Sequence, residues 1–224
     1  MRISVIIPTL NEASTIERTL ERVRRLEPYE IIVADGGSSD ATRELAAPLA
    51  TVVTSRRDRG RQLNAGAARA TGDAFAFLHA DVRLPSDAFE AIAGALRDPE
   101  VLGGYFKVRF GRRPYEVFVA ALYDLLRFGG RAVIYGDSTI FVRREAFERL
   151  GGFRDYPIME DVNFVSRLRL LGRVVGLHQI VVPSTRRWER GGRLNAWASW
   201  WAIQLLYGLP ISPHWLGRLY RAVR

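Results

Sequence analysis

The 224 residues are enough for one sizeable core but hardly for two full domains, and a composition of 48% hydrophobic and 25% charged residues excludes disorder as the default state. A net charge of +9, from 33 basic against 24 acidic side chains, points to a polyanionic partner such as nucleic acid, anionic lipid or phosphate. The chain has no cysteine, which excludes disulfides, thiolate metal sites and thiol nucleophiles.

Taken in chain order, "MRISVIIPTLNE" enters a strand at once and lacks the long apolar run of a signal peptide, so a cytoplasmic location is the expectation. Ile3 to Ile7 is the first strand. Ile16, Leu20 and Val23 then recur at helical spacing behind a capping box formed by Ser14 and Glu17. "EIIVA", "TVVT" and "AFAFL" are further β-branched or aromatic runs separated by helical patterns, which is the signature of a parallel sheet built from βα units. Phe89, Ile92, Ala93 and Leu96 mark a helix behind Pro85 and Ser86. Farther on, "YFKVRF" and "STIFV" read as strands, "YEVFVAALYDLLRF" as a helix, and "VNFVSRLRLLG" as an amphipathic helix ended by Gly172. From Leu194 to Tyr207 the tail is apolar on every side, with Trp197, Trp200 and Trp201. It is too short to span a bilayer and fits an interfacial helix flanked by Arg193, Arg218 and Arg221, a subunit contact in a homodimer, or a buried helix.

Ligands of open parallel sheets bind beyond the carboxyl ends of the strands, so residues just after each strand carry the candidate chemistry. "PTLNE" follows the first strand and "DGGSSDAT" the second. The latter is either a turn leading into a capped helix or a place where Asp35 accepts a hydrogen bond from a nucleoside. Arg56, Arg57, Arg59 and Arg61 precede the strand that ends at His79 and Asp81, and Arg56 and Arg59 read as a solvated loop. Asp81 belongs at the sheet edge, where a carboxylate binds a cation that bridges two phosphates, with His79 as a second ligand or a packed ring. Glu160 and Asp161 are either acids decorating a helix N-terminus or include a general base. Nearly every basic residue is Arg, which grips phosphate bidentately, although an Arg-rich genome gives the same bias.

Together "SVIIPTLNE", "IIVADGGSSDAT", "QLNAGAARATGDAFAFLHADVRLP", "FVRREAFERLGGF" and "PIMEDVNFVSRLRLLG" resemble, in this order and over roughly residues 1 to 185, the family 2 glycosyltransferases. "FLHAD" and "STRRWERGG" resemble a bacterial subgroup of small single-domain members. The resemblance implies an α/β GT-A fold: a mostly parallel central sheet flanked by helices, with an apolar helical tail. It implies one domain, with a nucleotide-binding half over 1–110, an acceptor and catalytic half over 111–190 and the tail over 191–224. The function implied is inverting transfer of a sugar from a UDP- or GDP-linked donor to an acceptor hydroxyl, assisted by Mg²⁺ or Mn²⁺.

By the same resemblance Asp35 contacts the nucleoside, Pro8 and Glu12 form the opening nucleotide loop, and Arg61 and Asn64 lie nearby. Asp81 matches the last acid of the DxD metal motif, whose first acidic place is His79 in this chain. Asp161 takes the place of the base, with Glu160 orienting it or the acceptor, while Arg186 and Arg187 stabilise the leaving diphosphate. Gly103, Gly104, Tyr135 and Asp137 are placed on the acceptor side. The apolar tail implies a lipid-linked or amphiphilic acceptor and a peripheral position on the inner membrane face. Two alternatives stand beside this reading. A sugar-phosphate nucleotidyltransferase would carry a Gly-rich loop with Arg where this chain has "PTLNE". A basic module that binds membranes or nucleic acid leaves Asp35, Asp81 and Asp161 without a role, which disfavours nucleic acid as a partner.

Overall fold

The computed structural model describes residues 1–109, 134–184, 206–207 and 212–222. Its elements are β1 (Ile3–Thr9), α1 (Ile16–Arg24), β2 (Glu30–Asp35), α2 (Thr42–Ala46), β3 (Thr51–Thr54), α3 (Arg59–Arg69), β4 (Ala74–Phe77), β5 (Val82–Arg83), α4 (Ala88–Ala95) and β6 (Val101–Val108). A 3-10 turn at Gly136–Ser138 follows, then β7 (Ile140–Arg143), α5 (Arg144–Arg149), α6 (Glu160–Leu171), β8 (Arg173–Pro183) and α7 (Pro213–Ala222). The helix expected over 115–128, Arg186, Arg187 and all of the Trp-bearing tail except Leu206 and Tyr207 lie outside the described residues.

The strands form one sheet in the order β3-β2-β1-β4-β7-β6-β8-β5. Pairing is parallel between β1 and β2, β1 and β4, β2 and β3, and β6 and β8. β7 runs antiparallel between β4 and β6, and β5 runs antiparallel on β8. The expected mostly parallel sheet is therefore present, with β7 and β5 reversed.

Alternation along the central strands divides the core in two, because successive side chains leave opposite faces of a strand. Val5, Ile7, Val33 and Ala76 pack with Ile16, Leu20 and Val23 of α1 and Ile92 of α4. Ile6, Ile32, Phe75 and Phe77 pack on the other face with Leu63 of α3, Phe147 of α5 and Phe164 of α6. Fully burying each large apolar side chain contributes roughly 1.5–3 kcal/mol, so the two faces together hold the layers in place.

One local expectation is corrected, and two glycines find a packing reason. The helix α1 is not opened by a Ser14 and Glu17 capping box: Thr15 is its N-cap, and the Glu12 carbonyl accepts from the N–H groups of Thr15 and Ile16. Gly103 and Gly104 lie within β6. A Cβ on them would lie 2.4 Å from the Phe141 carbonyl oxygen and 2.3 Å from that of Val175, so they permit close strand contact.

Several arginines are structural. Arg143 donates to the carbonyls of Leu96, Asp98 and Val101, Arg144 to those of Ala70 and Gly72, and Arg167 to those of Leu150 and Gly152. Part of the positive charge thus goes to binding backbone carbonyls within the fold.

Candidate active site

Register brings the candidate segments to one edge of the sheet. At the ends of the parallel strands Thr9 sits beside Asp35 and Ile6 beside Phe77. Because β7 is antiparallel to β4, its first residue, Ile140, pairs with Phe77, and the Gly136–Ser138 turn emerges at that same edge.

The first turn of α6 is anchored to this edge by aromatic packing. Phe164 stacks on Phe153 at 4.4 Å and meets Phe77 edge-on at 6.3 Å. One turn earlier, Glu160 and Asp161 are 1% and 5% exposed. Met159 enters the helix with φ of 64°, a left-handed conformation that costs a non-glycine residue roughly 1–2 kcal/mol. The surroundings hold it there: Met159 is buried against Val162, Tyr135, Ile158 and Tyr207.

The two adjacent acids have different partners. Glu160 Oε1 accepts from Arg59 Nη1 at 3.1 Å. Asp161 Oδ2 accepts from the Gly136 N–H at 2.5 Å and its Oδ1 from its own helix's Val162 N–H at 2.7 Å. Burial first and the charge of Glu160 second push the Asp161 carboxyl up to about 6, against the downward pull of Arg59 and the two N–H groups. A carboxylate with this proton affinity accepts a proton near neutral pH more readily than an ordinary aspartate.

The same turn touches the end of β4. His79 Nδ1 lies 3.0 Å from Asp137 Oδ1. The other ring nitrogen packs on Gly136, where an added Cβ would lie 2.4 Å from Nε2 and 3.4 Å from Asp161 Oδ2. His79 thus meets Asp137 through Nδ1 and sets its Nε2 edge beside the Gly136 turn. Asp81 is half-buried beyond the end of β4, and its backbone carbonyl accepts from the Ser184 N–H. Hard oxygen donors of this kind suit Mg²⁺ or Mn²⁺, which one or two carboxylates and substrate phosphates commonly hold together. Among the described residues no three His, Cys, Asp or Glu side chains converge as a ligand set.

Comparison with known proteins gives this arrangement its context. The pattern that defines "Glycosyl transferase family 2" matches residues 4–151. The chain belongs to this family. Its sequence is 26% identical over 227 residues to a probable glycosyltransferase, YdaM, of Bacillus subtilis, covering 89% of this chain and 53% of that protein. The chain spans about half the length of the curated relatives YdaM and a validoxylamine A glucosyltransferase. In fold it matches the mannosyltransferase PcManGT from Pyrobaculum calidifontis, solved with GDP-Man and Mn²⁺, at a TM-score of 0.67 and 24% identity over 99% of this chain and 68% of that one. Glucosyl-3-phosphoglycerate synthase from Mycobacterium tuberculosis, solved with Mn²⁺, UDP and glucosyl-3-phosphoglycerate, matches at 0.59 and 20% identity over 82% and 70%. These are GT-A structures, and the α/β fold expected from sequence is the one observed over the described residues.

Within this family 2 chain, the remaining predicted site residues fall into two groups. Pro8 lies in β1, and Glu12 is tied to the second loop through its N–H, which donates to Thr42 Oγ1 at 2.8 Å. Asn11 and Ala13 make similar cross-links to Ser38, Ser39 and Asp40, so "PTLNE" and "DGGSSD" form one interlocked rim. Asp35 is the centre of that rim but is not aimed outward. It is fully buried, and its oxygens accept from the N–H groups of Gly37 and Ser38 and the hydroxyls of Ser38 and Thr9. Asp35 thus ties the second loop to the end of β1, with exposed Gly37 at φ of 89° at the turn.

Arg61 and Asn64 also have partners within the protein. Arg61 makes a two-pronged ion pair with Asp155, and the Asn64 amide exchanges hydrogen bonds with the Phe153 backbone at 2.8 and 2.9 Å. Sequence reasoning placed Arg59 in a solvated loop, whereas it is the first residue of α3 and holds Glu160 across 101 positions. The missed signal was Asp58, an N-cap whose side chain accepts from the Arg61 N–H and starts the helix two residues before Arg61. Gln62, also overlooked, donates to the carbonyls of Thr9 and Ala34 and so ties α3 to the ends of β1 and β2.

Proposed function

We propose that this chain transfers a sugar from a nucleotide-diphosphate donor to an acceptor hydroxyl with inversion at the anomeric carbon. The observation that carries the reading is the buried Asp161 carboxylate, raised to about 6 and hydrogen-bonded to the turn that also contacts the end of β4. The acceptor oxygen attacks the anomeric carbon as its proton passes to Asp161. The bond from that carbon to the diphosphate oxygen breaks, and its electron pair leaves with the diphosphate. Each Asp161 oxygen already accepts one N–H, which fixes the carboxylate and leaves a second lone pair for the hydroxyl.

Asp81 is the residue that would hold a divalent cation, Mg²⁺ or Mn²⁺, which would neutralise charge on the leaving diphosphate. Arg186 and Arg187 are proposed to assist there; Ser184, close before them in sequence, donates its N–H to the Asp81 carbonyl at 3.0 Å. The interlocked loops around Pro8, Glu12 and Asp35 are proposed as the nucleoside rim. GDP-Man and UDP in the structural neighbours support a UDP- or GDP-linked donor. A lipid-linked acceptor and membrane-surface contact through the tail remain part of the proposal; among the described residues no helix is long and apolar enough to cross a membrane.

The test is a thermal-shift panel of UDP, GDP and their sugars with and without Mn²⁺, because a ligand of the native state at 100 times its Kd adds about 2.7 kcal/mol of stability. Stabilisation by UDP or GDP that requires Mn²⁺ and is lost in Asp81→Asn supports the reading. Stabilisation by oligonucleotides or anionic vesicles alone contradicts it.

A further inference from the structure

Glu160 and Asp161 are consecutive, both nearly sealed from solvent, and held by different kinds of group. Arg59 reaches Glu160 from α3 at 3.1 Å, while Asp161 is held by the N–H groups of Gly136 and Val162. A guanidinium is a permanent cation, so its contact favours the charged form of the carboxyl it touches. A charged neighbour in turn disfavours a second charge beside it, and that repulsion is strong where water is excluded. The environment therefore separates the two acids: one is an ion-pair partner, and the other is free to exchange a proton.

We propose that the Arg59–Glu160 ion pair is a tuning and positioning device for Asp161, assigning the exchangeable proton to Asp161 and setting how tightly it is held. This rests on the reading of Asp161 as the base and deepens it. Neither Arg59 nor Glu160 needs to touch the reacting atoms; both act through Asp161. Among the described residues, the charged and titratable groups around Asp161 are Glu160 on its own helix, Arg59 from α3, Asp137 and His79 about the Gly136 turn, and Tyr207 from the C-terminal segment. Burial and Glu160 raise the Asp161 carboxyl, in that order, and Arg59 and the two N–H groups lower it. Arg59 is itself raised above its usual value, first by Glu160, with Asp161 and Asp137 contributing, which places all four groups in one electrostatic unit.

The test follows the side-chain carboxyl carbons of the full chain, labelled with ¹³C at Asp and Glu, by NMR from pH 4 to 8, without substrate. In the wild-type chain the Asp161 signal is expected to titrate at about 6, above an ordinary aspartate. Glu160→Gln keeps the shape and removes the charge, so the midpoint falls by about one pH unit or more, a tenfold loss of proton affinity. Arg59→Lys keeps a cation and leaves the midpoint nearly in place, whereas Arg59→Gln moves it by roughly half a unit or more. An unchanged midpoint in Glu160→Gln overturns the proposal. Should that variant fail to fold by thermal melting, an unchanged midpoint in Arg59→Gln does the same.

Kinetics add a second discrimination, with GDP-mannose or UDP-glucose hydrolysis as the probe. Arg59→Gln lowers kcat about tenfold while leaving the donor KM nearly unchanged, and Arg59→Lys restores it. A tenfold rise in donor KM at constant kcat would make Arg59 a donor-phosphate contact and overturn the tuning role. The NMR titration needs no turnover, so full activity in Asp161→Asn would sink the assignment of the base while leaving the titration result separately readable.

Discussion

At the residue scale, Asp161 is defined by what surrounds it more than by its place in "MED". Burial and an adjacent carboxylate raise its proton affinity, and a group with a raised value is ionised only above that value. A base must be ionised to act, so kcat/KM is expected to be level above about pH 6 and to fall about tenfold per pH unit below it. A limb centred near pH 4 would mean an unperturbed carboxylate and contradict the assignment. Gly136 is the second decisive residue, since a methyl group there would strike His79 Nε2 at 2.4 Å and crowd Asp161 Oδ2 at 3.4 Å. Gly136→Ala therefore shifts either the His79 ring or the turn whose N–H holds the base. Transfer falls by roughly 10²-fold, as a displacement near 1 Å costs, while stability drops by only ~1–3 kcal/mol. Steady-state rates and chemical denaturation measure the two effects separately.

At the element scale, the base is placed by α6, and α6 is placed by aromatic packing. Phe164 bridges Phe153, Phe147 and Phe77, which links the helix to α5 and β4. Phe164→Ala should destabilise the chain by ~3–5 kcal/mol and broaden the thermal transition of the α6 region, read by hydrogen exchange at Glu160–Leu171. Destabilisation below about 1 kcal/mol would show that the cluster does not anchor the helix.

The sequence made the buried parallel strands legible because β1, β2 and β4 are nearly unbroken β-branched or aromatic runs. It left β8 unannounced: Gly176, His178 and Gln179 interrupt its apolar pattern, and many of its residues are only half-buried. The acids were legible as strand-end or helix-start residues, but their partners were not. Arg59 meets Glu160 only because the sheet brings residues 101 positions apart together, and spacing holds no trace of that contact. Asp35, Arg61 and Asn64 show the converse: residues in the expected segments also hold those segments together, through partners that spacing does not announce.

At the scale of the whole molecule, the sheet acts as a frame whose one edge gathers groups from distant stretches of chain. The linked loops after β1 and β2, the turn after β4, the turn before β7 and the first turn of α6 all meet there. The C-terminal segment reaches the same region, as Tyr207 packs on Met159 and Val162, and Gly217 of α7 fits against Pro157. The tail thus has at least part of its apolar surface on the loop that leads to the base, which favours the buried alternative for this portion over a wholly membrane-facing one.

The most direct measurement is the sugar-transfer rate of Asp161→Asn beside its affinity for the donor nucleotide. Asparagine keeps the size of the side chain and cannot take the acceptor's proton. Transfer should fall by about 10²–10⁴-fold with nucleotide affinity unchanged. Transfer near the wild-type rate in a folded Asp161→Asn chain would contradict the account.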